Sequence, residues 1–125
     1  MTGAVWSLRI LTSLVTLLVL VQPVLAGLFV TGDVGMLTAH SITASFLAAL
    51  AFFQIVAAIV VWRPGRGPAW PIWASVASFL LLEIQAGLGY ARAVGAHIPF
   101  GVLLFGLSVA MLIGVWSPRL RQRRS

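Results

Sequence analysis

Hydrophobic residues fall into four long blocks, which short polar or glycine-rich breaks separate. The blocks run from about Val5 to Val30, Met36 to Trp62, Trp70 to Ala91 and Ala96 to Trp116. Each is long enough for one helical crossing of a bilayer, which needs about 20 apolar residues. Backbone in lipid must satisfy its own hydrogen bonds, so helix is the expected conformation. The pattern predicts an all-α membrane protein, a four-transmembrane-helix bundle that forms a single domain over residues 1–125.

The breaks between the blocks carry turn signals. The first is Thr31-Gly32-Asp33-Val34-Gly35, the second is Arg63-Pro64-Gly65-Arg66-Gly67-Pro68, and Ser117-Pro118 precedes a basic tail over residues 117–125. Glycine and proline at such density interrupt helices. The five tryptophans lie near the expected span ends, as in an aromatic belt: Trp6, Trp62, Trp70, Trp73 and Trp116.

Composition supports this class. The chain is 61% hydrophobic and 8% charged, whereas soluble domains have about 25% charged residues. The absence of cysteine excludes disulfides and thiolate metal sites. The net charge of +6 comes from eight arginines, and in so apolar a chain we expect it to set orientation rather than to bind nucleic acid.

The arginines cluster on one side of the predicted topology. Arg63 and Arg66 lie in the middle loop, four more lie in the tail (Arg119, Arg121, Arg123 and Arg124), and the two other loops contain only Arg92. The positive-inside rule then predicts both termini in the cytoplasm. We expect a multi-pass protein of the cell membrane, with a bacterial plasma membrane as its lipid environment.

A competing interpretation treats Arg9 and the apolar run up to Val24-Leu25-Ala26 as a cleaved signal peptide. A retained helix is preferred, because apolar character continues to Val30.

Two histidines are the main candidates for chemistry. His40 and His97 lie in the first turns of the second and fourth predicted helices, at similar depth near the outer face. If those helices are diagonal in the bundle, the imidazoles face each other, as two axial ligands of a haem iron do. Small residues nearby would give a porphyrin room: Gly27, Ala39, Ala44, Gly87, Gly89 and Gly101. The alternative is that water or headgroups satisfy both histidines. A zinc site is disfavoured, since no third ligand is obviously placed.

A faint repeat relates the two halves. Gln22, Gly27 and His40 are matched by Gln85, Gly89 and His97, with a small residue four positions after each histidine. This spacing suggests a two-helix tandem repeat whose halves share one topology.

Other polar groups inside the spans each need an explanation. Glu83 could relay protons, bind a cation or contact a cofactor; alternatively it is a structural residue hydrogen-bonded to Gln54 or Gln22 of a facing helix. Arg92 could pair with a haem propionate, because guanidinium matches carboxylates, or it could be an interfacial arginine only.

The stretch Gln85, Leu88, Gly89 and Arg92, followed by His97, resembles the haem A synthase family, in which a helix ends in Q-x-x-L-G-x-x-x-R before a helix that begins with histidine. Here one residue fewer separates the glycine from the arginine. The resemblance covers one four-helix half of such a protein and implies that His40 and His97 are axial haem ligands. Leu37 stands where the catalytic half has glutamate, three residues before the first histidine.

The resemblance therefore implies the cofactor-holding half, a small haem b-binding protein for electron transfer or haem handling. A homodimer would restore an eight-helix body, and a respiratory or haem-handling membrane protein would be the natural partner. Two alternatives remain: a cofactor-free accessory or assembly protein, and a small proton-coupled transporter that uses Glu83.

Overall fold

The computed structural model describes residues 2–121, except for the side chains of Thr2, Arg119 and Arg121. This part of the chain forms four α-helices and a short 3₁₀ helix: α1 (Thr2–Val30), α2 (Gly35–Trp62), α3 (Trp70–Tyr90), α4 (Val94–Trp116) and the 3₁₀ helix Pro118–Arg121. Each of the four α-helices is long and apolar enough to cross a membrane. The predicted fold class is confirmed, and the helix bounds differ from the predicted ones by at most three residues.

The helices follow one another around the bundle. Each packs against its two neighbours in the order α1, α2, α3, α4 and back to α1, so α2 lies diagonally opposite α4. We call the end with loops 31–34 and 91–93 the histidine end, and the end with loop 63–69 and the 3₁₀ helix the arginine end. The tail arginines Arg123 and Arg124 lie outside the described residues.

Local chemistry explains where the helices stop. Gly32 has a φ of 115°, and the Asp33 N–H donates to the Leu28 carbonyl at 3.1 Å, which closes α1 with a left-handed turn. The same turn closes α3, where the Ala93 N–H donates to the Leu88 carbonyl at 2.9 Å. There the left-handed residue is Arg92, with a φ of 57°.

Apolar side chains fill the bundle at the arginine end and at its middle. The first cluster joins all four helices and the 3₁₀ helix, whose Leu120 is 1% exposed. The second surrounds the bundle centre with Val15, Val19, Leu47, Ala51, Leu82 and Leu104. Most of the remaining helix surface is exposed and apolar, as a lipid-facing surface is. The bundle is thus closely packed everywhere except toward its histidine end.

Arg9 stabilises the arginine end from inside the bundle. Its side chain is 4% exposed, and its Nε donates to the Val115 carbonyl at 2.9 Å. The guanidinium also lies over the rings of Trp6 and Trp116, at 5.6 and 4.9 Å from their centroids. Arg9 therefore satisfies a carbonyl in the last turn of α4 and is shielded by two aromatic rings.

Candidate dihistidine site

The two imidazoles meet at the centre of the bundle, near the histidine end. Their ring centroids are 6.2 Å apart and their planes make an angle of 56°. His40 comes from the second turn of α2 and His97 from the first turn of α4. These diagonal helices bring together two residues that are 57 positions apart (97 − 40) in the sequence.

Each imidazole makes the same hydrogen bond to the preceding helix. His40 Nδ1 lies 3.1 Å from the Gln22 carbonyl oxygen, and His97 Nδ1 lies 2.9 Å from the Gln85 carbonyl oxygen. A carbonyl oxygen can only accept, so Nδ1 is the donor in each of these hydrogen bonds. Carbonyl bonds of this kind fix the tautomer and the orientation of metal-ligating histidines.

The side chains of the two glutamines also lie in matched places. With its nitrogen toward His40, the Gln22 amide lies 2.9 Å from Nδ1 and 3.2 Å from Nε2 of that ring, and its oxygen accepts from the Ala44 backbone N–H at 3.2 Å. Gln85 reaches the equivalent residue of the other half: its Nε2 stands 2.8 Å from where a Cβ of Gly101 would be. The Gln85 Oε1 is buried without a hydrogen-bond partner.

A cavity of about 300 Å³ surrounds the two rings. Its wall is apolar apart from the two histidines and the two glutamines. The wall residues come from all four helices: Val19, Leu20, Gln22, Pro23 and Ala26 of α1; His40, Ala44 and Leu47 of α2; Leu82, Gln85 and Ala86 of α3; and His97, Ile98, Gly101, Val102, Leu104 and Phe105 of α4. Its volume is at the lower end of the roughly 300–1,000 Å³ typical of ligand pockets.

Two of the six small residues lie in the cavity wall as expected, and four do not. Of those expected to give a porphyrin room, Ala44 and Gly101 line the cavity, whereas Gly27, Ala39, Gly87 and Gly89 do not. Gly89 instead lies beneath the His97 ring, since a Cβ there would stand 3.1 Å from its Cε1. Gly27 and Gly87 are exposed on the outside of the bundle. The sequence analysis expected these residues next to the porphyrin, because sequence spacing does not reveal which way a glycine faces in the bundle.

Glu83 lies on the exposed outer surface of α3 and does not line the cavity. The alternative in which Glu83 is hydrogen-bonded to Gln54 or Gln22 is wrong. Gln54 is buried and donates to Ser75 Oγ at 3.3 Å and Met111 Sδ at 3.1 Å, and the Gln22 amide faces His40. Arg92 is exposed in the loop at the histidine end.

Sequence reasoning missed a polar layer inside the arginine half of the bundle. Gln54 is 1% exposed, and the neighbouring buried polar side chains are Thr12, Thr16, Ser75, Ser78 and Ser108. Their spacing along α1 and α3 was a usable signal, because Thr12 and Thr16, like Ser75 and Ser78, recur at helical intervals and so share one face.

His40 and His97 are the residues of the cavity wall whose side chains commonly ligate metals. Within residues 2–121 no set of three or more His, Cys, Asp or Glu side chains is close enough to hold a metal ion. Two nitrogens that ligate one metal from opposite sides at about 2.0 Å are about 4 Å apart, which puts the ring centroids roughly 6 Å apart. The His40 and His97 ring centroids are separated by a similar distance, 6.2 Å.

Fold and site together define a class: a multi-pass four-helix membrane bundle with a dihistidine cavity. Comparison of the chain with protein-family models, with characterised proteins and with solved structures found no match.

Proposed function

We propose that this chain is a small haem b-binding membrane protein, with His40 and His97 as the axial ligands. The observation that carries the proposal is the pair of imidazoles, 6.2 Å apart between centroids, each with Nδ1 bonded to a glutamine carbonyl. A haem bound there would supply one-electron redox chemistry, so the function is electron transfer or haem handling.

The protein's own residues would orient and enclose the group. The Gln22 and Gln85 carbonyls hold both rings, and the Gln22 amide next to the His40 ring would have to give up its contact with Nε2 if that nitrogen were a ligand. The unpartnered Gln85 Oε1 adds a polar atom to the cavity wall. Arg92, which is exposed at the same end, is the residue we assign to a propionate.

The matched contacts of the two halves also support a two-helix tandem repeat and the resemblance to the cofactor-holding half of haem A synthase. Leu37 is exposed on the outside of α2, and no carboxylate replaces the glutamate of the catalytic half at this position. The proposed partner is a respiratory or haem-handling membrane protein, or a second copy of the chain.

Absorption spectra of the protein test the proposal. The wild type, produced with ample haem and purified in detergent, should show a Soret band and the oxidised and reduced spectra of six-coordinate haem b. His40→Ala and His97→Ala should each lose the six-coordinate spectrum, and the double variant should bind no haem. Thr38→Ala, an exposed change on α2, is the matched control and should resemble the wild type. A wild type without a Soret band, or a double variant that keeps one, would contradict the proposal and favour a cofactor-free accessory protein.

A further inference from the structure

The dihistidine cavity has exposed wall residues on one side of the bundle only. These are Leu20, Pro23, Ile98, Val102 and Phe105, which all belong to α1 or α4; we call them the lateral slot. Val102 is 69% exposed and Leu20 is 48% exposed. The cavity residues from α2 and α3 are all buried or half-buried, so the cavity opens between α1 and α4.

The contacts between α1 and α4 explain why the gap lies there. Arg9 donates to the Val115 carbonyl, Trp116 to Ser13 and Thr16 to the Ser108 carbonyl. Every one of these hydrogen bonds lies on the arginine side of the cavity. Among the described residues no hydrogen bond between side chains of these two helices lies further toward the histidine end. Pro23 also lacks an N–H, so the Val19 carbonyl loses its helical partner next to the slot.

The opposite side of the bundle carries a hydrogen bond between its two helices. Ser41 Oγ of α2 and Tyr90 OH of α3 are 3.3 Å apart at the histidine end. If His40 and His97 are equivalent positions of the two halves, other equivalent positions are also 57 residues apart (97 − 40). Ser45 of α2 then corresponds to Val102 of α4. Ser45 is therefore the matched position on the side where the cavity residues are all buried or half-buried.

The depth of the slot decides what it faces. Pro23 is seven residues from the end of α1 at Val30, and Val102 is eight residues from the start of α4 at Val94. At about 1.5 Å per residue, both lie roughly 10–12 Å below the helix ends. In a hydrocarbon core about 30 Å thick, this depth is within the acyl chains rather than in water.

We infer that the dihistidine cavity is loaded sideways from the bilayer, through the lateral slot between α1 and α4, by a flat ligand with an apolar ring edge that is dissolved in the lipid. The inference rests on the proposed function for the identity of that ligand, haem b. The part of the haem ring that does not fit within the cavity of about 300 Å³ would lie in the lateral slot. There it would face the apolar acyl chains of the lipid.

The first test does not require haem. Since the chain has no cysteine, Ala44→Cys carries a nitroxide in the cavity wall, and Ala58→Cys, at a fully buried position, is the buried reference. In phosphatidylcholine vesicles, lipid-soluble oxygen should relax the Ala44 label several-fold more than the reference, and a water-soluble nickel chelate should relax it little. The added change Val102→Trp should remove the oxygen effect, and Ser45→Trp should not. If the nickel chelate relaxed the Ala44 label more strongly than oxygen did, or if neither relaxed it, the inference would be overturned.

The second test uses haem b preloaded into phosphatidylcholine vesicles. Val102→Trp should acquire its Soret band several-fold more slowly than the wild type, whereas Ser45→Trp should load at the wild-type rate. Leu20→Trp blocks the slot from α1 if Val102→Trp does not fold. Loading of both blocked variants at the wild-type rate would refute the slot. A missing Soret band in every protein would refute haem binding, while the oxygen result would still decide on the slot.

Discussion

The backbone carbonyls of Gln22 and Gln85 each accept a hydrogen bond from a histidine Nδ1 in the bundle centre. The histidine pair was predictable, because polar residues at equal depth on alternate helices are rare in apolar sequence. The carbonyl partners were not, because they depend on how each helix is rotated about its axis. In histidines that ligate a metal, such partners orient the ring and raise its basicity.

Gly89 positions His97, and a methyl group there should disturb the site without weakening the helix. A Cβ at Gly89 would stand 3.1 Å from His97 Cε1 and 3.4 Å from Nδ1. Gly89→Ala should therefore lower haem affinity by about tenfold. Gly87→Ala is the control, since a Cβ at Gly87 has no neighbour within 4 Å. Both changes improve helix propensity by up to about 1 kcal/mol. Titration with haem, followed at the Soret band, measures the difference; equal affinities would show that Gly89 has no positioning role.

Arg92 occupies a left-handed backbone position that costs an arginine about 1 kcal/mol relative to glycine. Its φ is 57°, close to the 56° of Arg66 at the opposite end. Arg92→Gly and Arg66→Gly should both raise the free energy of unfolding by about 1 kcal/mol, as detergent unfolding would measure. Only Arg92→Gly should weaken haem binding, through loss of the propionate partner. Unchanged haem affinity in Arg92→Gly would reject that role.

At the scale of the helices, hydrophobic runs alone located all four spans to within three residues. The distribution of polar residues between the bundle interior and its surface was less predictable. Arg9 resembles a signal-peptide charge in the sequence, yet it is 4% exposed and bonded to α4. Glu83 has the sequence context of an interior acid, yet it faces outward. Hydropathy measures average environment along a helix and does not distinguish the face that meets lipid from the face that meets protein.

Close packing of α3 on α4 at the arginine end depends on a glycine. A Cβ at Gly114 would stand 2.6 Å from Cη2 of the Trp70 indole, and a rigid ring cannot move aside without opening the interface. Gly114→Ala should therefore lower the free energy of unfolding by about 1–3 kcal/mol. Gly106→Ala, on the same helix with no neighbour within 4 Å of the new Cβ, should be neutral or slightly stabilising. Equal stabilities of the two variants in detergent unfolding would contradict the packing argument.

At the scale of the whole molecule, the two ends of the bundle differ in both packing and charge. The arginine end carries Arg63 and Arg66 and is filled by apolar side chains, whereas the histidine end holds the cavity. If the positive-inside rule fixes the orientation, the dihistidine site lies in the outer half of the membrane. A redox partner would then reach the site from the outer face or from within the bilayer.

Single cysteines can test this orientation, because the native chain has none. Thr31→Cys is in the exposed loop between α1 and α2, and Ala69→Cys precedes α3 at the arginine end. A membrane-impermeant maleimide should label Thr31→Cys in intact cells and Ala69→Cys only after the membrane is opened. The reverse labelling would place the arginines outside, and the dihistidine site would then serve cytoplasmic partners. Labelling of both in intact cells would mean a mixed orientation, in which Arg63 and Arg66 would not outweigh Arg92 as topology signals.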